Sequence, residues 1–224
     1  MKSIVFYLCL IPSLANAASV AGKGSASLIE LYTSEGCSSC PPADRWLTGL
    51  KTRSGLWTEF VPLAFHVNYW DQLGWPDKFA SPEYTQRQRA YSHRWGTSTI
   101  YTPGIVMQGK EAKISTSWRP TDATLEIQWA NEKLVVNGNA GLSGNVHIAW
   151  LGGDEINPIK RGENAGKTLA HDFIVLKLQA LGSYGPKKSF PLGLPAMSAA
   201  KIKALAVWVE NDGVPVVATG GELR

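Results

Sequence analysis

Cysteine is scarce in this chain: Cys9, Cys37 and Cys40 are the only three in 224 residues. So few cannot hold together a disulfide-dense exported scaffold. No second pair accompanies Cys37 and Cys40, and the four histidines are scattered, so a four-ligand structural zinc site is not supported. Neither Ser38 nor Ser39 sits in a Gly-x-Ser-x-Gly elbow, which leaves serine hydrolase chemistry without a nucleophile. Like charges form no block. The 22 Lys and Arg exceed the 18 Asp and Glu by only four, so neither a nucleic acid nor a membrane surface is an expected partner. Beyond the first 17 residues no stretch is long and apolar enough to cross a bilayer as a helix. Internal repeats and low-complexity tracts are also missing.

What is present begins with a leader. Residues 1–17 have the layout of a signal peptide: Lys2 at the start, a short apolar core from Ile4 to Leu14, and the small-x-small site Ala15-Asn16-Ala17. An uncleaved anchor is the alternative, but the apolar run is too short to span as a stable helix. Cys9 lies inside the leader, outside any lipid-attachment context, and leaves with it. Cleavage of 17 from 224 residues gives a mature chain of 207, with the net charge falling from +4 to +3 as Lys2 departs. The expected location is the periplasm or the extracellular medium, with no membrane contact after cleavage. Nine tryptophans and 44% hydrophobic residues indicate a packed globular protein.

The pattern divides near residue 131. Up to there, strand-like segments (Ser27 to Tyr32, Val61 to Val67, Ile105 to Met107) alternate with helical ones. The helical ones are Pro41 to Arg53, a Ser81-capped helix to about Trp95, and Pro120 to Ala130. This is an α/β layered reading. From 132 to 224 the segments are short and β-rich: Leu134 to Val136, Val146 to Leu151, Leu169 to Leu178, Leu205 to Val209 and Val214 to Ala218. They predict a small antiparallel, sandwich-like domain.

Cys37 and Cys40 lie in the turn between the first strand and the first helix, in Glu35-Gly36-Cys37-Ser38-Ser39-Cys40-Pro41-Pro42-Ala43-Asp44. Two thiols separated by two residues can close a disulfide there with little backbone movement. The helix N-terminus favours thiolate over thiol. Cys40 precedes Pro41, so the helix is expected to begin at Pro41. Cys37, farther out, is the candidate attacking thiol and Cys40 the resolving one. Closing a four-residue loop adds little chain entropy, which weakens a purely structural role. The pair Ser38-Ser39 does not decide between oxidant and reductant.

The run Glu30-Leu31-Tyr32-Thr33-Ser34-Glu35-Gly36-Cys37-Ser38-Ser39-Cys40-Pro41-Pro42-Ala43-Asp44 resembles the opening of a bacterial family of exported thioredoxin-like proteins, a family described only as a domain of unknown function. Phe65-His66-Val67-Asn68-Tyr69-Trp70-Asp71 with Gly74-Trp75, then Tyr101-Thr102-Pro103, and Arg161-Gly162-Glu163-Asn164 are similar to the same family. The resemblance implies a thioredoxin-like domain over 18–131, with an aromatic helical insertion at about 70–100, followed by the β-rich domain over 132–224. It also implies a cis bond before Pro103 and a role for Thr102 and Pro103 in pairing with an extended client. It carries no established substrate.

His66 is placed to approach the dithiol as a proton shuttle, or to be a buried histidine bonded to its surroundings. Tyr69, Trp70, Trp75 and Trp95 either wall a client groove or form the core of an inserted lid. His147 and His171 read as structural or exposed. Gly162 to Thr168 has the glycines of a phosphate loop at the wrong spacing and reads as a turn.

The sequence thus points to an exported thiol–disulfide oxidoreductase without a cofactor, acting on a thiol- or disulfide-containing client through Cys37 and Cys40. Two alternatives stay open. One is a copper(I) carrier using Cys37 and Cys40 with His66 or His93, since thiolates suit a soft cation. The other is a non-catalytic binding module. The redox reading requires that a client reach the sulfurs and that they lie beside Pro103.

Overall fold

The computed structural model describes residues 18–114, 117–196 and 201–224; the leader expected over 1–17 lies outside the described residues. The chain opens with β1 (Ser19–Gly24) and β2 (Ser27–Thr33), then α1 (Pro41–Thr48), whose last turn tightens into a 3-10 segment at Gly49–Thr52. Next come β3 (Phe60–His66), a 3-10 turn at Asp71–Leu73 and α2 (Pro82–Arg94). β4 (Gly104–Met107) and β5 (Lys110–Ala112) form a short hairpin. From there the described chain is all strand: β6 (Leu125–Ala130), β7 (Lys133–Gly138), β8 (Asn145–Gly152), β9 (Glu155–Pro158), β10 (Thr168–His171), β11 (Ile174–Ser183), β12 (Lys188–Pro191), β13 (Ile202–Asn211) and β14 (Val214–Glu222).

One eight-stranded sheet organises the molecule, in the order β14-β13-β8-β11-β3-β2-β4-β5. Its centre, β2 and β3, is parallel and buried along its whole length, as near-continuous apolar runs require. Alternate residues of these strands serve opposite layers. Leu28 and Tyr32 with Val61, Leu63 and Phe65 join Tyr84 and Tyr91 of α2. Ile29 and Leu31 with Phe60 and Ala64 join Ala43, Leu47 and Leu50 of the α1 segment. Beyond α1 the same sheet is covered by a four-stranded sheet, β1-β6-β7-β12. Val20, Ile127, Trp129 and Val136 there pack on Ile148, Trp150, Val207 and Val209.

The α/β expectation, a thioredoxin-like domain followed by a separate β-rich one, is corrected by this topology. The described chain is mostly strand, with only two α-helices, and strands from before and after residue 131 share one sheet. The join is β11 beside β3, through the parallel pair Ile174 and Ala64 and the bond from Ala64 N–H to Phe173 O. Residues 125–130, expected to be helical, form β6. There Leu125, Ile127 and Trp129 are buried while Glu126, Gln128 and Ala130 are not, which is the two-residue period of a strand.

α2 is pinned by a buried ion cluster. Ser81 caps it by accepting from Glu83 N–H at 3.2 Å. Arg87 then reaches the sheet. Its Nε donates to Glu30 Oε2 (2.7 Å) and its Nη2 to Glu210 Oε2 and the Tyr91 hydroxyl, each 3.0 Å away. Tyr32 and Tyr91 hydroxyls also donate to Glu30, and Trp208 Nε1 donates to Glu210. One guanidinium therefore joins α2 to strands 180 residues apart in sequence, counted from Glu30 to Glu210.

Candidate functional site

β2 ends at Thr33 and the chain turns toward α1 through residues 34–40. Cys37 N–H bonds Ser34 O (3.1 Å) and Cys40 N–H bonds Cys37 O (3.3 Å), two tight turns that bring the cysteines together. They form a disulfide with their Cα atoms 5.5 Å apart. The regular helix begins at Pro41, and Cys40 is its N-cap. Gly36 leaves room for Trp70: an added Cβ would stand only 3.0 Å from Trp70 Cβ, tighter than ordinary contact.

The Thr102–Pro103 bond is cis. Tyr32 pairs with Gly104 across the β2–β4 ladder, so Pro103 stands beside Thr33, at the sheet end from which the cysteine loop departs. Trp70 bridges the two loops: its backbone-proximal atoms lie against Gly36 and its Nε1 donates to Thr102 Oγ1 at 2.8 Å. Trp70 and Tyr69 are half-buried and pack on the core below.

Behind the loop lies a buried acid–base cluster. His66 pairs with Thr33 in the parallel ladder, and its Nδ1 is 2.6 Å from Asp77 Oδ2. Burial, the largest single influence, opposes the charged imidazole, but the Asp77 carboxylate together with Asp44 and Glu35 raises the His66 pKa above its ordinary value. Burial likewise opposes charge on Asp77. The His66 pairing and the N–H groups of Glu35 and Phe79 overcome it and lower the Asp77 pKa. Glu35, against its own burial, is also held low by His171, Trp75 and Asn157. Trp75 Nε1 and Asn157 Nδ2 each donate to it at 2.7 Å, and His171 Nε2 is 3.3 Å away.

Asp44 behaves in the opposite way. It sits one turn beyond Cys40, with its N–H bonded to Cys40 O at 3.1 Å. Burial raises its pKa, against the lowering pull of His171, His66 and the Thr33 hydroxyl, which donates to Oδ1 at 2.8 Å. Its Oδ2, like His66 Nε2, is buried without a hydrogen-bond partner among the described residues.

The cysteine loop is covered from the far half of the chain. The loop between β9 and β10 is exposed from Lys160 to Lys167 except at Asn164, which is fully buried. Asn164 Nδ2 donates to both Glu35 O and Cys37 O at 2.9 Å, and Glu163 Oε2 accepts from Ser38 N–H at 3.1 Å. Gly162, with φ of +76°, lets the loop close over Trp75, whose Cβ would lie 3.2 Å from an added Cβ. Ser38 and Ser39 remain exposed, but both cysteines have 0% relative accessibility. The expectation that the sulfurs are open to a client is therefore not met in this closed arrangement.

Cys37, Cys40, Thr102, Pro103 and His66 thus gather at one end of the sheet. His93 does not; it is exposed in the last turn of α2. Trp95, read as either a groove wall or part of a lid core, stacks on Tyr91 and donates to Gly109 O, so it belongs to the packing around α2. Trp75 is half-buried over Glu35. The set Cys37, Cys40 and His66 is not assembled as metal ligands. The sulfurs are bonded to each other, and His66 Nδ1 is engaged by Asp77. Among the described residues no group of three or more His, Cys, Asp or Glu is disposed to hold a metal ion.

His171, read from the sequence as structural or exposed, is buried in the cluster beside Glu35. Glu35, Asp77, Asn157 and Asn164 carried no spacing signal, although Glu35 and Asn164 lie within the stretches that carry the family resemblance.

A family model described as "Protein of unknown function (DUF1223)" matches residues 28–210. No curated protein matches the chain. Among solved structures, the crystal structure of protein AGR_C_4864 from Agrobacterium tumefaciens is similar, with 23% identity, a TM-score of 0.68, and 88% of this chain and 93% of that one covered. HBP35 of Porphyromonas gingivalis is similar at 14% identity and a TM-score of 0.53, over 87% of this chain and 74% of that one. At these identities the likeness is one of fold.

Proposed function

The chain belongs to that family of proteins of unknown function, and we propose from its site that it is an exported thiol–disulfide exchange protein working through Cys37 and Cys40. The observation that carries the reading is the disulfide itself, a two-residue bridge at the start of α1 beside the Pro103 loop. As a staple it does less than a long-range bridge would. A closed loop of four residues is worth about 2 kcal/mol on the chain-entropy relation, against about 3 for one of fifteen. The surrounding turns, Asn164 and Glu163 already hold the loop.

In the exchange, a client thiolate attacks Cys37 Sγ. The Cys37–Cys40 bond breaks and Cys40 leaves with the electron pair. A second client thiolate then attacks the client sulfur of the mixed disulfide and expels Cys37. The client dithiol loses two electrons and two protons, and both end on Cys37 and Cys40 as thiols. Run backward, the same steps reduce a client disulfide. Asp44, one turn beyond Cys40, and His66, whose charge acts on Asp44, each keep one buried atom without a partner, and in this reading they hold a proton during the change. The leader expected over residues 1–17 would carry the chain to an oxidising compartment, the periplasm or the medium, where disulfide exchange of this kind operates.

The test is exchange of the purified mature chain with reduced and oxidised glutathione, followed by mass spectrometry. The reading expects a defined equilibrium between dithiol and disulfide forms that Cys37→Ser abolishes. A disulfide that stays unreduced in native protein at any glutathione ratio would count against it.

A further inference from the structure

The closed cover over the disulfide is more specific than burial requires. The segment from Lys160 to Lys167 is exposed and polar along its length, yet it sends one side chain, Asn164, into the interior. Asn164 holds the cysteine loop by its backbone on both sides of Gly36, at Glu35 O and Cys37 O. Its Oδ1 is in turn held by Lys167 Nζ at 2.9 Å. Glu163 adds a bond to Ser38 N–H, the residue next to Cys37.

The base of this hairpin is fixed. Ile159, Leu169 and His171 are buried, and Ile159 N–H and O are bonded to Lys167 and Gly166. The tip is not built into either larger sheet, because β9 and β10 pair only with each other. A fixed base, a polar exposed tip and one buried plug are the parts of a gate.

We propose that the loop from Lys160 to Lys167 is a gate over the Cys37–Cys40 disulfide, with Asn164 as its plug and Glu163 as its latch on Ser38. This rests on the exchange reading above and supplies its regulation: the disulfide meets a client only while the plug is withdrawn. Opening breaks three hydrogen bonds to the cysteine loop, two donated by Asn164 and one accepted by Glu163, together with the packing of Gly162 on Trp75, and leaves the hairpin base intact. Segments held to the body by so few contacts open well below the cost of global unfolding.

The experiment measures how fast tris(2-carboxyethyl)phosphine reduces the disulfide in folded wild type, Asn164→Ala and Glu163→Ala. Removing the plug is expected to speed reduction on the order of tenfold, and removing the exposed latch about threefold, as lost net hydrogen bonds of ordinary strength imply. If Asn164→Ala does not fold, Glu163→Ala, altered only at the surface, still reads the gate. Equal rates in wild type and both folded variants would overturn it. Glutathione separates the two readings. Faster phosphine reduction without glutathione exchange keeps the gate and removes the exchange function. Exchange in wild type with unchanged phosphine rates keeps the function and removes the gate.

Discussion

Replacing Asp44 with asparagine should make the protein more stable, and increasingly so as pH rises. Asp44 is buried, its Oδ1 accepts from Thr33, and its Oδ2 has no partner. Burial raises its folded-state pKa above the unfolded value of about 3.9. A raised pKa means that the folded state binds the proton more tightly than the unfolded one. Below the unfolded value the carboxyl is neutral in both states and costs nothing extra. Between the unfolded and folded values the unfolded carboxyl ionises while the buried one keeps its proton, so stability falls with pH, and the loss is complete once pH passes the folded value. Asparagine never ionises, and its Oδ1 can still accept from Thr33. Asn Nδ2 takes the unpartnered place of Oδ2, so the gain comes from the avoided ionisation alone: about 1.4 kcal/mol for each pH unit between the unfolded and the raised folded pKa, levelling off above the latter. For a chain of this size that corresponds to a rise in Tm of roughly 2–4 °C per kcal/mol. The assay is thermal unfolding of oxidised wild type and Asp44→Asn by circular dichroism at several pH values from 4 to 8. A variant less stable than wild type at pH 8, or a difference that does not grow with pH, would refute the reasoning.

Other perturbations have equally definite expectations. Arg87→Met leaves Glu30 and Glu210 buried without their cation and should cost about 3–5 kcal/mol, read from urea midpoints. Asp77→Ala removes the acceptor for His66 Nδ1 and for the N–H groups of Glu35 and Phe79, at a similar cost of about 3–5 kcal/mol. The pair also sets a pH window. Asp77's stabilisation is present above its unfolded value and lost as pH falls through its lowered folded pKa. His66's is complete below about 6.5 and lost as pH rises through its raised one. Urea midpoints across pH 3–9 should show both limbs in wild type and neither from this pair in Asp77→Ala.

Much of the first half was legible in sequence because its signals are local. Ser81-Pro82 marked the start of α2, Cys40-Pro41 the start of α1, and largely apolar runs marked β2 and β3. The α/β reading went wrong where local signals compete or run out. Leu125, Ile127 and Trp129 recur every second residue, a strand period inside a stretch, 120–130, that otherwise reads as helical. β1, Ser-Val-Ala-Gly-Lys-Gly, has almost no apolar pattern; its backbone pairing with β6 makes it a strand. That β11 lies beside β3 depends on pairing between residues 110 apart, from Ala64 to Ile174, which no periodicity encodes.

The site divides the same way. The cysteines and Pro103 announce themselves by spacing and by family likeness. Glu35, Asp77, His171 and Asn164 are ordinary polar residues whose meaning comes from burial and from partners brought by distant segments.

The most direct measurement is to expose folded Cys40→Ala protein to oxidised glutathione and map the adduct. The account expects a mixed disulfide on Cys37 in folded protein, formed faster still when Asn164→Ala is added. A Cys37 that is modified only after the protein is unfolded would contradict it.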